Sequence, residues 1–144
     1  MNDYSHILVA LDFSPDNERI IQRAKQLARQ NGAKLSLIHV VEPVGLAYAG
    51  EIPFPENFDL EQHISEQAEL RMESFRQRHE LAEARYFVEI GSPKHEIIRV
   101  AQEQGVDLIL LGSHGRRGLQ LLLGATANGV LHMAECDVLA VRVR

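Results

Sequence analysis

Four short, nearly unbroken apolar runs punctuate the chain: ILVAL from Ile7 to Leu11, LSLIHVV from Leu35 to Val41, LILL from Leu108 to Leu111 and VLAV from Val138 to Val141. A strand with one face in water alternates apolar and polar residues. A strand covered on both faces reads as a continuous branched run, the pattern of a parallel sheet between two helical layers. A fifth segment, YFVEI from Tyr86 to Ile90, carries Glu89 and is expected near an edge.

Helical patterns fill the gaps. Ser14-Pro15 is a start signal, with Ser as N-cap and Pro at the first helical position, where its missing N–H costs nothing. Ile20, Ala24, Leu27 and Ala28 then share a face, and Asn31-Gly32 ends the helix. Ser92-Pro93 repeats the signal ahead of Ile97, Ile98 and Ala101, with Gly105 closing. Asp59 caps a third helix whose buried stripe is Ile64, Ala68, Met72 and Phe75. A last helix is expected from about Ala125 to Ala134, with Val130, Leu131 and Ala134 turned inward. The order β-α-β-α-β-α-β-α-β, wound by right-handed crossovers, predicts an α/β fold of three layers. Its 144 residues match one domain, 1–144, with no internal repeat. The long irregular stretch Glu42 to Phe58 follows a strand at the ligand-binding edge of such a sheet and serves either as a flap or as a plain connection.

Charge and composition exclude several classes. The net charge of −5 argues against a general nucleic-acid binder, although Arg116, Arg117, Arg142 and Arg144 provide local positive charge. The absence of Trp and 6% aromatic content leave no evident platform for stacking bases. No apolar run approaches the roughly 20 residues of a membrane span. The opening MNDYSHILVALDFS lacks the basic region and cleavage site of a signal peptide, and the single cysteine, Cys136, suits a reducing compartment; a cytoplasmic location is expected.

The segment richest in chemistry is LILLGSHGRRGLQLLLGATANGV, residues 108–130. A buried strand runs into Gly112, Gly115 and Gly118, and Gly124-Ala125-Thr126 opens a helix. Glycines let backbone turn at positive φ and approach a ligand, and the open N–H groups of a helix start favour an anion. Thr126 adds a hydroxyl, and Arg116 or Arg117 adds charge. A phosphate cradle and a loop that merely turns the chain fit the glycine spacing equally; neither Gly-Lys-Ser/Thr nor a dinucleotide G-x-G-x-x-G is present. Asp12, ending the first strand, either projects into the same crevice toward a ribose or adenine or caps the following helix.

With HILVALDFSP, LSLIHVVEP, GSPKHEII, VDLILLGSHGRRG and CDVLAVRV, the whole chain resembles the universal stress proteins of the bacterial stress-protein A type. The resemblance implies a Rossmann-like five-stranded parallel sheet of order 3-2-1-4-5, ATP or AMP binding, and homodimers through the last strand. It further implies that Asp12 contacts the nucleoside and the Val40 backbone the adenine. Gly112, Ser113, His114, Gly115 and Arg116 would line the ribose and phosphate path, and Gly124, Ala125 and Thr126 would hold the phosphates. Two positions depart from the family form G-x2-G-x9-G-[ST]: eight residues separate Gly115 from Gly124, and Ala125 stands where a hydroxyl is usual.

Other residues carry plainer expectations. His114 is a phosphate contact or a solvent-facing loop histidine, and His39 a structural histidine of the second strand. No histidine spacing builds a metal site; a magnesium ion accompanying ATP would be held by phosphates, water and Asp12. Cys136 is a small buried hydrophobe, and Glu61 to Glu80 a solvated charged helix. No triad or carboxylate pair stands out, so catalysis is at most slow ATP hydrolysis or autophosphorylation on Ser113 or Thr126. The apolar edge Val138 to Val143 invites pairing with a second copy. Three functions follow: a nucleotide-binding stress-response dimer, a nucleotide-independent interaction protein of the same fold, or a weak ATPase.

Overall fold

A computed structural model describes residues 3–42, 59–113 and 124–142. Five strands and four helices alternate: β1 His6–Ala10, α1 Asn17–Asn31, β2 Lys34–Val41, α2 Leu60–Arg78, β3 Arg85–Ile90, α3 Pro93–Glu103, β4 Leu108–Gly112, α4 Ala125–Met133 and β5 Asp137–Val141. All neighbouring strands are parallel, in the order β3-β2-β1-β4-β5. The three-layer α/β expectation and the strand order are met, with β1 central and the Glu89-bearing strand at an edge.

Period-two alternation splits each apolar run between two cores. Ile7, Val9, Leu37 and Leu110 face Ile20, Ile21 and Ala24 of α1 and Met72 and Phe75 of α2. Leu8, Ile38, Ile109 and Leu111 face Ile97 and Val100 of α3 and Ala127 and Val130 of α4. The runs are continuous because both faces are buried.

Helix ends follow local chemistry. Asp59 accepts the Gln62 N–H at 3.0 Å, and Ser92-Pro93 opens α3. Gly32 and Gly105 close α1 and α3 in the left-handed region at φ 63° and 67°. At the end of α2 the same conformation falls on Glu80, φ 58°, with the Leu81 N–H bonded to the Arg76 carbonyl at 2.7 Å.

Three expectations need correction. Ser14 does not cap α1: residues 14–16 form a turn, Asn17 is the first helical residue, and Asp16 precedes it without a side-chain cap. Leu131 is 42% exposed rather than turned inward, because the short α4 buries only the narrow stripe of Ala127 and Val130. Ile64 is half-buried, leaving Ala68, Met72 and Phe75 as the buried stripe of α2.

Candidate functional site

The crossovers place α1 on one face of the sheet and α3 on the other, so the chain departs to opposite sides on the two flanks of β1. That arrangement opens a crevice at the carboxyl ends of the strands. A cleft of about 110 Å³ lies there, with Asp12 after β1, Val40 in β2, Gly112 at the end of β4 and Thr126 in the first turn of α4 among its lining. Residues far apart in sequence are thereby brought to one place.

The loop after β1 is built around a buried side chain. Asn17, 3% exposed, accepts the N–H groups of Asp12 at 3.0 Å and of Phe13 at 2.7 Å through one amide oxygen. Phe13 sits at φ 61°, a costly conformation for a bulky residue. Its ring lies 4.4 Å from that of His39 and beneath the Arg71 guanidinium, centroid to centroid and cation to centroid at 4.7 Å for the latter. Asp12 in turn accepts the Ser14 N–H at 2.9 Å, closing a short side-chain turn. One carboxylate oxygen of Asp12 therefore shapes its own loop, while the residue lines the cleft.

His39 bonds the Leu11 carbonyl through Nδ1 at 2.8 Å, the structural bond expected of it, and it also lines the cleft. Neither this position nor Asn17 was marked as a site residue by motif. Asn17 acts backward on the backbone of residues four and five before it, a local contact that runs against the usual N-cap direction and matches no capping motif.

At the other wall, Ser113 is buried, and its N–H extends the β4–β5 pairing to the Val141 carbonyl at 2.9 Å. The Ser113 carbonyl accepts the Gly124 N–H at 2.7 Å, bringing the end of β4 to the start of α4. Gly124, at φ −63°, precedes α4 and supplies no side-chain cap, so the first-turn N–H groups keep no side-chain partner from it. Gly112 has no positive φ, contrary to the expectation for these glycines, and lines the cleft. Ala125 is exposed and does not line the cleft. His114, Gly115 and Arg116, like the stretch 43–58 and Val143, lie outside the described residues.

Asp12 and Asp16 both line the cleft, and no Lys or Arg does among the described residues. No cluster of His, Cys, Asp and Glu suited to a metal occurs among the described residues. Cys136 is half-buried, and burial pushes its thiol pKa up, which favours the unreactive form. No helix of the described residues is long and apolar enough to cross a membrane.

A five-stranded parallel sheet of order 3-2-1-4-5, flanked by helices and creviced at its switch point, defines the Rossmann-like class of α/β proteins. Within that class, the model of the Universal stress protein family matches residues 3–142, and the chain belongs to that family. Universal stress protein A homolog 1 of Coxiella burnetii is 41% identical over 138 residues, covering 96% of each chain. Universal stress protein MJ0577 of Methanocaldococcus jannaschii is 29% identical, and its solved structure superposes with a TM-score of 0.79 over 96% of each chain. A universal stress protein crystallised in complex with cAMP, 24% identical with a TM-score of 0.65 over 98% of each chain, shares the fold.

Proposed function

We propose that this chain is a stress-response module, one domain over residues 1–144, that binds ATP or AMP in the crevice beside β1 and works as a homodimer in the cytoplasm. The observation that carries this reading is the convergence of Asp12, Val40, Gly112 and Thr126 on one cleft beside the N-terminus of α4. The adenosine end belongs near Asp12 and Val40, where a carboxylate can accept ribose hydroxyls and the Val40 backbone can meet the base edge. Phosphates belong away from the two acids, toward the first turn of α4, where open N–H groups and the helix dipole favour negative charge. Gly124, Ala125 and Thr126 would hold them there, with Ser113, His114, Gly115 and Arg116 completing the path. A magnesium ion, if bound, would be held by phosphates and water with Asp12.

The donor set fits such a ligand without needing the hydroxyl that Ala125 lacks, because backbone N–H groups do not depend on side-chain identity. The fold itself accommodates an adenine nucleotide in the relative crystallised with cAMP. The apolar residues of β5 support pairing of its free edge with a second copy.

Calorimetric titration with ATP, AMP and cAMP, with and without magnesium, tests the binding. Saturable heat is expected, lost in Gly115→Val and weakened more for AMP than for pyrophosphate in Asp12→Ala. No heat and no melting shift at millimolar nucleotide would reject it. Mass spectrometry after incubation with labelled ATP tests for self-phosphorylation at Ser113 or Thr126.

A further inference from the structure

Away from the cleft, α1 and β5 bound a second groove. On α1, Arg19, Arg23 and Arg29 line the groove beside β5, the first two one turn apart, and Arg142 follows the strand. Leu139 and Val141 supply an apolar floor. The groove has a volume of about 640 Å³, enough for several side chains of an extended segment. No described residue lining it is acidic.

Among the described residues, Arg19, Arg23 and Arg29 make no ion pair, whereas Arg76 and Arg99 are each paired with glutamates. Arg19 and Arg23 are also four apart on one helix, a like-charge arrangement that weakens the helix slightly. In a protein of net charge −5, Arg19, Arg23 and Arg29 around an apolar floor, with no acidic residue in the described lining, form a local field opposite to that of the whole molecule.

We propose that this groove docks an extended acidic segment of a partner protein, its carboxylates paired with Arg19, Arg23 and Arg29 and an apolar side chain seated on Leu139. Guanidinium groups bind carboxylates in a two-pronged geometry, which suits side chains spaced along a peptide. A second copy of this groove presents the same positive charge and therefore does not supply the acidic occupant. Nucleic acid is disfavoured because no aromatic residue among the described lining offers a stacking surface. The proposal needs no nucleotide.

The test uses the full chain and a fluorescein-labelled synthetic peptide of repeated Glu-Asp-Leu, followed by anisotropy at about 50 and 200 mM salt. Binding is expected, weaker at the higher salt, and at least about tenfold weaker for the double variant Arg19→Glu, Arg23→Glu. Both side chains are exposed, so the fold should survive, which circular dichroism verifies. Replacing Leu by Ser in the peptide should weaken binding, and Arg85→Glu at the opposite edge of the sheet should leave it unchanged. Equal binding by wild type and double variant, or equal loss in Arg85→Glu, would overturn the proposal. So would single-stranded DNA binding more tightly than the peptide, which would make the groove a nucleic-acid site instead.

Discussion

Replacing Asn17 by Ala removes one oxygen that holds two backbone N–H groups, those of Asp12 and Phe13. A fully buried donor stranded in this way costs about 1–3 kcal/mol. Asp12 and Phe13 are half-buried, so water recovers part of the loss, and about 1 kcal/mol for each N–H is the reasonable figure. The left-handed Phe13, φ 61°, then loses the contact that fixes it and the loop relaxes. The expected loss is about 2 kcal/mol, or about 6 °C in Tm for a chain of this size. Urea unfolding followed by circular dichroism measures it, with Asn17→Asp as control because that side chain keeps an acceptor oxygen for the two N–H groups. Asn17→Ala within about 0.5 kcal/mol of wild type, the range of ordinary surface changes, would refute the claim that this side chain organises the loop.

Glu80→Gly should stabilise the protein by about 0.5–1 kcal/mol, because Glu80 ends α2 at φ 58° where a Cβ is disfavoured; thermal melts decide it. Met72→Ala, at a fully buried position between α2 and the sheet, should cost about 2–5 kcal/mol in the same assay. Burial lowers the His6 pKa from 6.5, against the opposing bond to the Gln104 carbonyl, so the folded state takes up its proton later than the unfolded chain. Stability should therefore be level above pH 6.5 with respect to this group and fall as pH drops below it, and His6→Gln should flatten that part of the pH–stability curve. His79, lowered chiefly by burial, adds to the wild-type slope in the same direction.

The strands were legible because double burial leaves continuous apolar runs, and the placement of β3 at an edge followed from Glu89. Gly32, Asp59 and Gly105 were equally readable, since each acts on backbone within a few residues. The start of α1 was not. Ser14-Pro15 has the form of a cap, but the acceptor that organises this turn is Asn17, and the Ser14 N–H is taken by Asp12. Leu131 misled for a different reason: helical periodicity assigns a face, but the length of α4 and the width of what it packs on decide how much of that face is covered. Among the residues lining the cleft, Asp12 and Gly112 could be anticipated there from their positions at strand ends. His39 could not, because its partner Leu11 arrives only when β1 and β2 assemble, and Asn17 could not, because its bonds, though local, run backward from the helix instead of forward from a cap.

The bond from the Gly124 N–H to the Ser113 carbonyl has a consequence in polymer terms. It fastens both ends of the ten intervening positions, 114–123, at one point, so their number is decoupled from the geometry of the sheet and of α4. Closing a loop one residue shorter changes the chain entropy by only about 0.1 kcal/mol. The one-residue deficit between Gly115 and Gly124 is thus nearly neutral for folding, and loop length becomes a variable that can be retuned without touching the scaffold.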